Sequence, residues 1–251
     1  PGDVVWCLTA FLWDTPPGDT NARLWGRGMP VEPLEPGAQL SRSEDRRARY
    51  KIGERDAYRS GFALVYSAMD RHLMCWVRVK ELAFAECVYR QRPDPLFRPN
   101  DKRGDDVYRK LMHRWEDEIH ALSQVYHPAV VRVMDAWREN GTTYAALEEH
   151  LGVTPLYAWQ RPPGSAGSTP WQGVQSIVED YLDGLNALHA MQFVHADFQP
   201  AALAVTSSGR GLIYDFGTCR ANYELRQHIG TMPWAREWAA PELVSPTSPV
   251  Q

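Results

Sequence analysis

No stretch of this sequence approaches the roughly 18 apolar residues that a membrane-spanning helix needs. The apolar segment at residues 4–13 is short and has no basic region before it, which excludes a signal peptide. Cysteine is scarce. Cys7, Cys75, Cys87 and Cys219 lie far apart, without the paired spacing of a metal site, and read as reduced thiols of a cytoplasmic protein. Positive charge is not in excess either: 27 basic against 31 acidic residues leaves a net charge of −4 and no field to hold nucleic acid. Internal repeats are missing. There is no initiator methionine before Pro1, and residues 245–251 are rich in proline and serine, so both ends are expected to be cuts within a longer protein or processed ends.

What the chain does have is length and apolar content. At 251 residues and 44% hydrophobic, it can bury a sizeable core as one domain or as two small lobes. Residues 1–49 are broken by Pro16, Pro17, Gly18, Gly26, Gly28, Pro30, Pro33, Pro36 and Gly37, which forbids long helices. Trp6, Trp13 and Trp25 are too apolar for a free linker, so an arm pinned by its aromatics is expected, with one short strand near residues 4–11. Alternation from Phe62 to Ala68, a turn at Asp70 and Arg71, and a second run over 74–79 predict a hairpin. Residues 91–104 carry Pro93, Pro95, Pro99 and Gly104 and predict a surface loop. Val107, Leu111, Trp115, Ile119 and Leu122 make one apolar stripe of a helix that His127 and Pro128 end. Strands are expected at 130–133 and 143–147, a flexible joint at 162–170, and a second amphipathic helix through Val174, Ile177, Tyr181, Leu185 and Leu188. Short strands near 193–194, 203–205 and 212–214 follow.

The segments FVHADFQPAALAV (193–205), LIYDFG (212–217) and AAPEL (239–243) together resemble the catalytic loop, metal-binding loop and activation-segment end of the protein kinase superfamily. A lone DFG recurs by chance. The three in order, with Asp197 and Asp215 18 residues apart and WVRVK and HPAVV upstream, carry the resemblance from about residue 50 to 242. It implies an α+β, bilobal fold: a β-rich N-lobe with one long helix (50–150), and a mainly helical, truncated C-lobe (151–251) ending just after the APE motif.

Carried over by position, Lys80 matches the strand lysine that holds nucleotide phosphates, and Glu118 its helix partner. Lys80 read alone is a surface lysine at a strand end, and Glu116 or Asp117 are alternative partners for it. Asp197 matches the acceptor of the substrate hydroxyl proton and Asp215 a magnesium ligand, although an aspartate in a turn also serves simply to cap amides. Leu147 joins the nucleotide-contacting set. Val133, Leu122, His195 and Phe216 match the packing column that links the lobes.

The departures from the family pattern cluster on the ligand. Its three phosphate-loop glycines, needed so that amides can approach phosphate without a Cβ in between, are Tyr58, Ser60 and Ala63. The small residue that roofs adenine is Arg78, and the large apolar residue on the floor is Ala204. Either the Arg78 stem fills the adenine slot, or it snorkels to solvent and leaves ATP admitted. The HRD arginine is Ala196, the loop lysine is Gln199, and the second metal ligand is Ala202, which has no ligand atom. Thr218, Tyr223 and Thr231 lie in the activation segment with no arginine to receive a phosphate there.

These features predict a pseudokinase, a protein-binding or regulatory scaffold with weak or absent ATP binding. The alternative is a divergent active serine/threonine kinase using ATP and magnesium. The expected partner is a protein, or a second copy on the C-lobe face left open by truncation. Nucleic acid and membrane are not expected as partners of this segment.

Overall fold

The computed structural model describes residues 30–41, 47–55, 57–60, 63–150, 152–159, 170–214, 220–221 and 238, the side chains of 60, 170–173 and 220–221 excepted. The strand expected near residues 4–11, the three arm tryptophans, the joint up to residue 169, and Asp215, Phe216, Thr218, Tyr223, Thr231 and the APE motif lie outside them. The chain divides into two compact units. Among described residues, one holds 30–124 and 132–149, and the other 125–131 and 150–238.

The first unit is a seven-stranded antiparallel sheet with one long helix. Strands β1 (Gln39–Leu40), β2 (Tyr50–Ile52), β4 (Ala63–Asp70), β5 (Cys75–Leu82), β9 (Thr142–Glu148) and β8 (Val133–Glu139) follow in that spatial order, and β3 (Tyr58–Ser60) also pairs with β4. The predicted hairpin is β4–β5, paired from Ala63 opposite Leu82 to Asp70 opposite Cys75. Asp70 closes its turn: one carboxylate oxygen accepts the amides of His72 (2.9 Å) and Leu73 (3.1 Å), a local bond that short polar side chains make readily. Across the ladder, Ile52 of β2 stands opposite Ala68 and Tyr58 of β3 opposite Val65.

Residues 91–104 are mostly exposed, as their prolines and charges predict, with a two-residue strand and the start of a helix within them. β6 (Val88–Tyr89) pairs with β7 (Arg98–Pro99), and Arg90 and Phe97 are buried. Asp101 then caps helix α1 (Lys102–Leu122), its carboxylate accepting the Gly104 amide at 2.6 Å. A Cβ at Gly104 would lie 2.7 Å from the Cys87 carbonyl oxygen, so glycine alone lets the helix start this close to the strand. The stripe of Trp115, Ile119 and Leu122 is buried as its spacing predicts.

Beneath this sheet sits a charged knot. Arg90 and Glu81 are 1% and 0% exposed and share two bonds of 2.6 and 2.8 Å. The Tyr66 and Tyr144 hydroxyls donate to the same carboxylate at 2.6 and 2.5 Å, so all its lone-pair directions are used. The Arg90 Nε–H donates to the Glu32 carbonyl at 2.7 Å, and the Tyr66 hydroxyl accepts the Leu34 amide at 3.1 Å. With Val31, Leu34 and Leu40 buried, the described part of the arm is held by aliphatic side chains and this knot.

In the second unit, helix α2 (Pro170–Ala190) buries Ile177, Tyr181 and Leu188. Strands β10 (Thr154–Pro155), β12 (Leu203–Val205) and β13 (Gly211–Ile213) make a small sheet, and β11 (Phe193–Val194) pairs with β14 (Arg220–Ala221). Residues 129–131 join β13 through reciprocal bonds with Ile213, which is why that short stretch belongs here. Asp180 on α2 takes the Arg210 guanidinium and the Gly211 amide (2.8 Å), locking helix to sheet.

Candidate functional site

Each unit carries part of the predicted site. In the β-rich unit, β5 places Lys80 in a ladder between Val65 and Ala145, with its side chain buried. Two residues earlier, on the same face of the strand, Arg78 lies between Ser67 and Leu147. Leu147 is buried. The Arg78 side chain ends on Glu149, one residue beyond β9. One nitrogen donates to Oε1 at 2.8 Å, and Nε lies close to Oε2 as an ion-pair contact without a hydrogen bond. The Glu149 side chain is 9% exposed and the Arg78 side chain 29%. Arg78 therefore does not end free in solvent.

Glu118 is buried on α1, with Arg114 3.4 Å away one turn earlier. Glu116, an alternative partner for Lys80, is engaged elsewhere. It binds the Arg138 guanidinium and accepts the Thr143 hydroxyl at 2.6 Å, mooring α1 to β8 and β9. Burial alone would raise the Glu116 carboxyl, but these bonds hold it below the usual range. Tyr58, at the first glycine position, is 46% exposed and pairs with Val65, while Ser60 pairs with Ala63.

In the second unit, His195 is buried and its Nε2 lies 3.3 Å from the Tyr214 carbonyl. Ala196 has φ +64°, a left-handed conformation that costs a residue with a Cβ about 1–2 kcal/mol. The tight turn survives although arginine is absent. Asp197 follows, and Gln199 Nε2–H donates to its Oδ2 at 2.8 Å. Ala202 and Ala204 are buried at 2% and 0% exposure, and the Tyr181 hydroxyl donates to the Ala204 carbonyl at 2.8 Å. Of the packing column, Leu122, Val133 and His195 are buried, and Phe216 lies outside the described residues, as does Asp215.

Comparison with known proteins agrees with this geometry. The protein kinase domain family matches residues 100–250, more than half of the chain. The chain belongs to the protein kinase family. Over 127 residues it is 34% identical to the serine/threonine-protein kinase SSN3 of Coccidioides immitis, covering 49% of this chain and 27% of that protein. Over 128 residues it is 28% identical to the cell division control protein 2 homolog 3 of Trypanosoma brucei brucei, covering 51% and 40%. The chain thus spans less than half the length of these relatives. Among solved structures, the apo form of PpkA-294 superposes with a TM-score of 0.59 at 22% identity, covering 72% of this chain and 63% of that one. The fold is that of the kinases: a β-rich N-lobe with one long helix, and a C-lobe begun by α2.

Kinase-domain relatives imply ATP and magnesium for an active member, so the described residues of this kinase domain can be tested for fit. Three observations count against it. Arg78 is spent on Glu149 where the family roofs adenine with a small side chain. A tyrosine replaces the first loop glycine. Ala202 presents only a methyl group where the family places a metal ligand. Among the described residues, no group of three or more His, Cys, Asp or Glu is placed to hold a metal. These three positions depart from the contacts that the family makes with ATP and magnesium.

Sequence reading missed Glu149 as the Arg78 partner and the Glu81–Arg90 knot. The Glu148-Glu149 pair after a β-rich run was a visible signal, but only the strand register shows which of the two lies within reach of Arg78.

Among the described residues, no helix is long and apolar enough to cross a membrane.

Proposed function

We propose that this kinase domain is a pseudokinase, a protein-binding or regulatory scaffold with weak or absent ATP binding. The Arg78–Glu149 ion pair carries the reading. It engages a long cationic side chain at the strand position where family members place the small residue above adenine, and it fastens that guanidinium to the Glu149 carboxylate. The catalytic loop adds to this. Gln199 is neutral where the family's lysine steadies the γ-phosphate, and phosphoryl transfer depends on positioned positive charge. If each lost contact removes a few kcal/mol, the rate falls by several powers of ten, at about 1.4 kcal/mol per decade.

One observation favours the second reading, a divergent serine/threonine kinase. The Gln199–Asp197 hydrogen bond still orients the carboxylate that would accept a hydroxyl proton. A single experiment separates the two. The purified chain is incubated with labelled ATP, magnesium and a generic protein substrate, beside Asp197→Asn and Asp215→Asn. The pseudokinase reading expects no incorporation above either variant. Label transfer that both variants abolish overturns it and establishes the active kinase.

A further inference from the structure

The turn of the β4–β5 hairpin presents apolar side chains to solvent in an unusual concentration. Leu73 is 54% exposed, Met74 78% and Trp76 48%, three large apolar residues within four positions. Met74 sits at φ +53°, a conformation that costs a side-chain-bearing residue and turns it out of the hairpin. Trp76 is not loose. A Cβ at Gly53 would lie 3.0 Å from its ring, so the indole rests on the bare backbone of Gly53. Across the sheet Trp76 stands opposite Met69, and Met69 opposite Lys51, so the three share one face in a row over β5, β4 and β2.

Cations border this strip. Arg47, Lys51 and Arg71 are exposed around it, with His72 beside them. Among the described residues, Asp70 and Asp135 are drawn inward to Arg49 at 2.8 and 2.9 Å, and Glu54 is an exposed acid on one flank. The described part of this edge is therefore positive.

We infer that this strip is a docking surface for an acidic, amphipathic peptide segment of a partner protein. Its apolar residues would cover Met74, Met69 and Trp76, and its carboxylates would meet Lys51 and Arg71. Exposed apolar patches rimmed by charge mark such contacts, and a rigid indole is a favoured anchor. A membrane surface fits less well. The described residues supply three Lys or Arg, against the four to eight that anionic-lipid recognition uses, and the anchor lies on a sheet face rather than at the leading tip. The surface is remote in sequence from Asp197 and Gln199, so the inference stands whether or not the chain transfers phosphate.

The test pans a displayed library of short random peptides against the full chain and measures the winners by fluorescence polarisation. The expected winners combine Asp or Glu with Leu, Phe or Trp. They weaken about tenfold or more in Leu73→Ser/Met74→Ser and separately in Lys51→Glu/Arg71→Glu, with circular dichroism melting unchanged. All four residues are exposed, and the second variant serves if the first unfolds. The inference is overturned if no peptides are enriched, or if the winners bind both variants undiminished. It is also overturned if the chain instead sediments with phosphatidylcholine vesicles containing about a third phosphatidylserine and loses this in the variants. Self-association that Leu73→Ser/Met74→Ser abolishes would assign the surface to a second copy and equally refute the inference.

Discussion

Replacing Arg78 with alanine removes the cation on which Glu149 rests and restores the small side chain that the family places above adenine. The Glu149 side chain is 9% exposed, so it is left with an unpaired charge in a poorly hydrated place. Fully exposed pairs are worth about 0–1 kcal/mol, and breaking a buried one costs about 3–5. With Arg78 itself 29% exposed, the loss lies between, at about 1–2 kcal/mol. For a chain of this size, that lowers the melting temperature by about 2–8 °C. The same variant should gain what the parent lacks. In ATP and magnesium at a hundred times the dissociation constant, a binder is stabilised by about 2.7 kcal/mol, more than the substitution removes. Differential scanning fluorimetry of the parent, Arg78→Ala, Glu149→Gln and the double variant, each with and without ATP, reads both effects. The double-mutant cycle should give a coupling of about 0.5–3 kcal/mol. Equal stabilisation of parent and Arg78→Ala by ATP would refute the blocking role, and zero coupling would refute the pair.

Glu81→Gln leaves Arg90 buried without its counter-charge and should cost about 3–5 kcal/mol in urea unfolding; a loss below about 1 kcal/mol would show that the knot is not under electrostatic load. Acid sensitivity follows from carboxyls held below their ordinary range: Asp180 by Arg210, and Asp70 and Glu116 by Arg49 and Arg138 against the opposing effect of burial. Lowered folded values mean that their stabilisation is present above the unfolded carboxylate range, near about pH 4, and is lost as pH falls through the folded values. The urea midpoint should therefore drop steeply below about pH 4, and Asp180→Asn should lose more stability at pH 7 than at the acid end; an equal loss at both would contradict the assignment.

The regular elements were legible where periodicity was strong. The stripe ending at Leu122 and the alternation around Val65 each appear as an element of the expected kind. The prolines and charges of residues 91–104 predict their exposure, but not the burial of Phe97 among them or of Arg90 just before them, which long-range partners set. Helix α1 begins at Lys102, ahead of its first apolar residue, because Asp101 caps it, a signal present in the sequence but hidden among the charges. At the candidate site, Arg78 stands out through the family resemblance, which places a small side chain at that strand position. Its partner is not legible, because the match depends on how β5 and β9 are registered. The Glu81–Arg90 knot shows the same limit: four polar side chains from distant segments converge only after the sheet has formed.

That knot also draws residues of the thirties into the folded unit. Composition suggests a break at residue 49, yet Glu32 and Leu34 close the coordination of Arg90 and Tyr66, and Leu40 extends the sheet beside β2. A version of the chain trimmed to begin at residue 50 would strip an acceptor from a buried guanidinium and uncover three aliphatic side chains at once. The thirties are keystone rather than tether.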